Sequence, residues 1–206
     1  MPRYRLKKSY NDFKATIDEL SSIASNLSNT PRTLERDVHI EGCFLRVVVT
    51  WENFLEEYFL RCMCSAQTCC GKVIRPQVPC SQNTQKAFKL LQGGDGGRNN
   101  NYADWLSHDI LQRRVTLYFH HQSRIHKIYE SPEKLYALTT IRNAIAHRSP
   151  FAIKKFKDYV IDHHGYLSQL DPSMAELLIM RKVSNNKLIF KDISDYYLGL
   201  AKELTK

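Results

Sequence analysis

The sequence predicts an all-α fold: a helical bundle of about five main helices with irregular loops between them. Two observations carry this. Apolar residues recur at three- and four-residue spacing along most of the chain, and serine–proline pairs supply strong helix start and stop signals. With 206 residues the chain is long enough for one compact core, and no internal repeat is visible. Residues 1–206 are therefore read as a single domain.

Tyr10, Phe13, Ile17, Leu20 and Leu27 place one apolar stripe on a first helix from Arg5 to Asn29, which Thr30-Pro31 ends. Leu34, Val38, Glu41, Leu45, Val48, Leu55, Phe59 and Cys62 continue the period, with Val47, Trp51 and Phe54 widening it. That predicts a long second helix as the core spine. Between Ser65 and Pro79 the pattern collapses into Cys, Gly and Pro. A short helix is expected over Gln82–Leu91, and then a loop at Gly93-Gly94-Asp95-Gly96-Gly97. No strand precedes these glycines and no Lys-Ser or Lys-Thr follows, so a nucleotide-binding loop is not expected.

Tyr102–Leu106 reads as a helical turn and Ile110–Tyr129 as a fourth main helix with Leu111, Val115, Tyr118, Phe119, Ile125 and Ile128 on its inner face. Ser131-Pro132-Glu133 supplies an N-cap, a proline at the first helical position and an early acid. The helix they start runs to Arg148, where Ser149-Pro150 stops it. Phe151–Ile161, a His163-His164-Gly165 turn, a helix or turn over Pro172–Met180, a short strand at Lys187–Phe190 and a final helix over Ile193–Leu204 complete the chain.

The net charge of +9 favours polyanionic partners, and no apolar run reaches membrane length. Nucleic acid is thus preferred to lipid as a ligand. The basic Met1–Lys8 segment leads straight into an amphipathic pattern without an apolar signal core, so a cytoplasmic location is expected. Cys62, Cys64, Cys69 and Cys70 cluster, but no Cys-x-x-Cys knuckle is present and Cys80 stands apart. Reduced thiols are expected, with no metal site and no cofactor.

The candidate site is Arg142-Asn143-Ala144-Ile145-Ala146-His147, near the end of the Pro132 helix. Arginine neutralises a crowded phosphorane and histidine moves protons near neutral pH. Arg32–His39, Arg113–His120 and Arg114–His120 match the bare spacing too. The asparagine, the small apolar residues between and the helix-end position single out Arg142. On an ideal helix Asn143 and His147 lie about 40° apart, but Arg142 and His147 about 140° apart. One helix then does not direct both groups to one phosphate. Either the helix unwinds at Ser149-Pro150, or two copies meet across a two-fold axis, with Ala144, Ile145 and Ala146 allowing close approach. The dimer is the favoured solution.

These residues resemble the motif of the HEPN superfamily, helical domains of toxin and antiviral ribonucleases: an arginine, a polar residue, several apolar residues, then histidine. Thr50-Trp51-Glu52-Asn53-Phe54-Leu55 is similar to the acid-then-Phe-Leu helix that precedes the motif helix in many members. The likeness runs from Arg36 to Leu204 in helix order. It implies a metal-independent, homodimeric endoribonuclease leaving a 2′,3′-cyclic phosphate and a 5′-hydroxyl. Arg142, Asn143 and His147 would be its catalytic residues, Glu52 would support the site from behind, and an antitoxin or regulatory protein would be a further partner. Ser149 departs from one subgroup, whose tyrosine at that position is modified by a nucleotidyltransferase antitoxin; that control is not implied here.

Arg148, Lys154, Lys155 and Lys157 form a basic patch suited to RNA phosphates, though a solvated helix face has the same composition. Plainer roles exist elsewhere as well. Arg142 and His147 also fit a solvated cationic helix terminus, Glu52 and Glu56 the edge of a core helix, and Trp51, Phe54, Tyr58 and Phe59 core packing. His120, His121, His126, His163 and His164 lack carboxylate or Cys partners at ligand spacing and read as surface or hydrogen-bonded histidines. Two other functions remain open: a catalytically inactive RNA- or nucleotide-binding HEPN module, and a helical bundle that binds an acidic protein.

Overall fold

The computed structural model describes residues 4–78, 83–94, 104–165 and 171–206. Among them the chain is all-α: α1 (Leu6–Leu27), α2 (Leu34–Met63), α3 (Thr84–Gly94), α4 (His108–Tyr118), a 3-10 helix (Arg124–Tyr129), α5 (Pro132–His147), α6 (Pro150–His163), α7 (Met174–Ile179) and α8 (Ile189–Thr205). Only isolated β-bridges accompany them. No described helix is long and apolar enough to cross a membrane. The chain divides into two compact units, the first of Met1–Lys14, Trp51–Pro132 and Gly199–Lys206, the second of Ala15–Thr50 and Glu133–Leu198.

The first unit is organised by aromatic rings from the second half of α2. Trp51, Phe54 and Tyr58 form a continuous run at 5.6 and 5.9 Å between centroids, and Phe13 of α1 packs on Phe54 at 4.8 Å. On the adjoining face, Phe59 meets Trp105, Tyr118 and Phe119. These are the core roles expected of the α2 aromatics, because rings at helical spacing remove the most apolar area from water per residue.

The expected Ile110–Tyr129 helix is instead broken. α4 ends at Tyr118, Phe119 turns extended (φ −133°, ψ 144°), residues 120–123 form a turn, and only Arg124–Tyr129 winds as a 3-10 helix. Gln77 explains the stop: its side-chain amide donates to the carbonyls of Thr116 and Leu117, and its backbone N–H to that of Tyr118. The terminal carbonyls of α4 are thereby satisfied from the Cys-rich segment, and further helical turns are not needed to pair them. At the other end, Asp104 Oδ1 accepts from the N–H groups of Leu106 and Ser107, a turn that leads into α4. Asp104–Leu106 is non-helical, while Tyr102 and the Asp95–Gly97 part of the glycine stretch lie outside the described residues.

The Cys-rich segment is itself built. Gln67 pairs with Tyr4 and Leu6 through backbone bonds of 2.9 and 3.0 Å, and Cys69 N–H donates to Thr205 O at 2.7 Å. Cys69 and Cys70 are exposed at the corner of a tight turn closed by Gly71, whose φ of +84° a side chain would resist, and Cys62 and Cys64 are buried. No cluster of three or more metal-ligating side chains occurs among the described residues.

The second unit packs the first half of α2 with α5, α6, α7 and most of α8. Phe44 and Phe190 meet edge to face, and Tyr197 of α8 donates its hydroxyl to Lys134 O, holding the first turn of α5. Ser173 and Glu176 form a capping box that starts α7. The short strand expected at Lys187–Phe190 reduces to one bridge between Arg181 and Leu188, and α8 begins four residues earlier than expected, at Ile189. Asp192 in its first turn, paired with Lys182 and Asn185, favours that earlier start.

His164 is buried beside Tyr159, whose hydroxyl lies 3.2 Å from its Nε2. Burial, then Lys182 and His163, lower its pKa to about 4, with Asp192 opposing. The unfolded chain therefore binds the proton that the folded chain refuses. Stability is expected to fall as pH drops from about 6.5 to 4, by up to about 3 kcal/mol. Urea denaturation at pH 7 and pH 4.5 checks this, since His164→Gln should flatten the difference.

Candidate functional site

α5 is an amphipathic helix whose buried side is Leu135, Ala137, Leu138, Thr140, Ile141, Ala144 and Ile145. Packing of that face fixes the helix about its axis and leaves Arg142 and Asn143 half-buried, with Ala146 and His147 exposed. Arg142 Nη1 donates to Asn143 Oδ1 at 2.9 Å and lies 3.3 Å from His147 Nε2. A single helix end thus gathers all three side chains, contrary to the expectation from helical angles. Side chains tilt toward the helix N-terminus, so His147 leans back over the preceding turn, and the long arginine reaches sideways to meet it. The contact is a hydrogen bond when the ring proton sits on Nδ1.

Ala144 and Ile145 are buried within the chain, so of the three residues expected to permit close dimer approach only Ala146 faces solvent. Their apolar character serves the core.

The helix ends at a two-residue joint. Arg148 adopts a left-handed conformation (φ 46°) and its N–H returns to Ala144 O at 3.1 Å, closing the last turn. Ser149 then caps α6, its Oγ accepting from the Ala152 N–H at 3.2 Å. The N-terminal end of α6, with its partial positive charge, therefore follows His147 after two residues. Arg148 also pairs with Glu41 of α2 at 2.5 Å, and Glu41 is buried.

The expected basic patch divides. Lys154 and Lys155 are exposed, and Lys155 Nζ stands 4.7 Å from the centre of the Phe151 ring. Lys157, about 120° from Phe151 around α6, is paired with Asp171. Arg148 is exposed over much of its side chain, although Glu41 already neutralises its head. Glu52 belongs to the first unit, where it is buried on α2 between the core residues Trp51 and Phe54.

Sequence reasoning passed over Phe151 and Glu41. Phe151 lies off the buried stripe of α6 formed by Ala152, Phe156, Tyr159 and Val160, a mismatch visible in the periodicity. Glu41 stands out as a carboxylate within the apolar stripe of α2, but its partner, 107 residues away, could not be read from the sequence. No protein-family model, curated protein or solved structure matches the chain.

Proposed function

We propose that this chain is a metal-independent endoribonuclease that cleaves RNA by 2′-hydroxyl transphosphorylation. The observation that carries the reading is the Arg142–Asn143–His147 cluster on an exposed helix end. Substrate phosphate would draw the Arg142 guanidinium away from the imidazole, freeing Nε2 to take the 2′-hydroxyl proton while arginine meets the charge developing on phosphorus. Asn143 holds the guanidinium and orients it. Attack of the 2′-oxygen breaks the bond to the 5′-oxygen, which leaves with a proton, giving a 2′,3′-cyclic phosphate and a 5′-hydroxyl. In a homodimer a second His147 would be available as the acid. Lys154 and Lys155 would hold flanking phosphates, a contribution that falls steeply with salt. A toxin or antiviral effector of the cytoplasm, restrained by an antitoxin or regulatory protein, is the setting such an activity suits.

The contact between Arg142 and His147 also suits a second reading, an inactive RNA-binding module in which the imidazole lone pair stays engaged. Mixed RNA incubated with the protein in excess chelator separates the two. The first requires fragments ending in cyclic phosphate, abolished by 2′-O-methylation at the cleaved position; binding without fragments selects the second.

A further inference from the structure

We infer that Phe151 is a stacking platform for an unpaired base, which makes single-stranded RNA the substrate class of this site. The inference rests on the nucleic-acid part of the function proposed above. Phe151 keeps 67% of its surface exposed at the start of α6, more than Ile161 at 57%, while Phe156, Tyr159 and Val160 of the same helix are buried. Core packing does not account for it. The ring stands beside cations: Lys155 lies over it at 4.7 Å from its centre, and Lys154, three positions after Phe151, is exposed. With Lys155 over one face of the ring, a base would take the other, and the ammonium would meet an adjoining phosphate.

Position ties the ring to the catalytic cluster. Phe151 lies four positions after His147, and a chain of that length spans at most about 14 Å even when fully extended. Successive bases of a stacked strand are about 3.4 Å apart, so a base within a few nucleotides of the scissile phosphate reaches the ring. In a duplex every base face is already covered by its neighbours. The platform therefore selects unpaired RNA, and with little sequence preference, because every base offers a π-face. Further along the same side of α6 stand Asp158 and Asp162, both exposed, so the favourable surface is confined to the first turns of the helix.

The test measures binding of a fluorescent 2′-O-methyl oligonucleotide, single-stranded and as a duplex, to wild type, Phe151→Ala, Phe151→Leu and Phe151→Trp, with cleavage of unmodified RNA followed in parallel. Alanine and leucine are expected to weaken single-strand binding by roughly 5- to 150-fold, tryptophan to retain it, and duplex binding to stay unchanged. Equal single-strand affinity in wild type and Phe151→Ala overturns the inference, as does retention by leucine or a change in oligomeric state without a change in affinity. Wild-type cleavage with unaltered Phe151→Ala binding removes the platform and keeps the nuclease. Weakened binding without any wild-type cleavage does the reverse, and absence of binding by wild type removes both.

Discussion

Replacing His147 by alanine is expected to lower the rate of RNA cleavage in chelator by about 10²- to 10⁴-fold, the usual contribution of a positioned general base or acid. The loss should fall on the single-turnover rate at saturating RNA, since His147 would act on the reacting hydroxyl and not on flanking phosphates. Its side chain is exposed, so the variant should keep wild-type stability to within about 0.5 kcal/mol. Arg142→Lys sharpens the experiment. It retains a positive charge but loses the planar fork that meets Asn143 and the ring, and a loss of about 10²-fold is expected. Equal cleavage by wild type and His147→Ala would remove the enzymatic reading.

Phe59→Ala should destabilise the protein by about 3–5 kcal/mol, a large part of the stability of an ordinary domain. Phe59 is fully buried and touches three rings at once, Trp105 at 5.4 Å, Phe119 at 5.1 Å and Tyr118 at 6.1 Å. Truncation removes its transfer energy and leaves a void that three large buried rings fill poorly. Urea denaturation gives the magnitude. Phe59→Leu, which restores most of the volume, should recover more than half of it, and a loss under 1 kcal/mol for alanine would show that this cluster collapses freely.

Long periodic stretches were legible in the sequence because their physics is local. Leu34 to Cys62 repeats its apolar stripe for eight turns, and α2 spans Leu34–Met63. Ser131-Pro132 likewise marked the start of α5 and Ser149-Pro150 its end, since capping and the restriction before proline act within four residues; that Ser149 also caps α6 is seen in the structure. The end of α4 was not legible, because Gln77 imposes it from some 40 residues away. At the candidate site the sequence shows which residues share the end of α5, but helical angles alone misjudge their mutual geometry, because they ignore the reach of an arginine and the backward lean of a terminal histidine. Ala144 and Ile145 illustrate another ambiguity. Small apolar residues on a helix look the same whether they face the chain's own core or a second copy, and only burial tells them apart.

The joint at Arg148 and Ser149 has one more consequence. Arg148 is held by an ion pair to α2 and Ser149 by its hydrogen bond to the α6 backbone. α5 and α6 meet at a two-residue elbow, with imidazole on one arm and phenyl ring on the other. If a strand of RNA spans this bend, as proposed, part of the ordering that recognition demands would be completed while the polypeptide folds, before any ligand arrives.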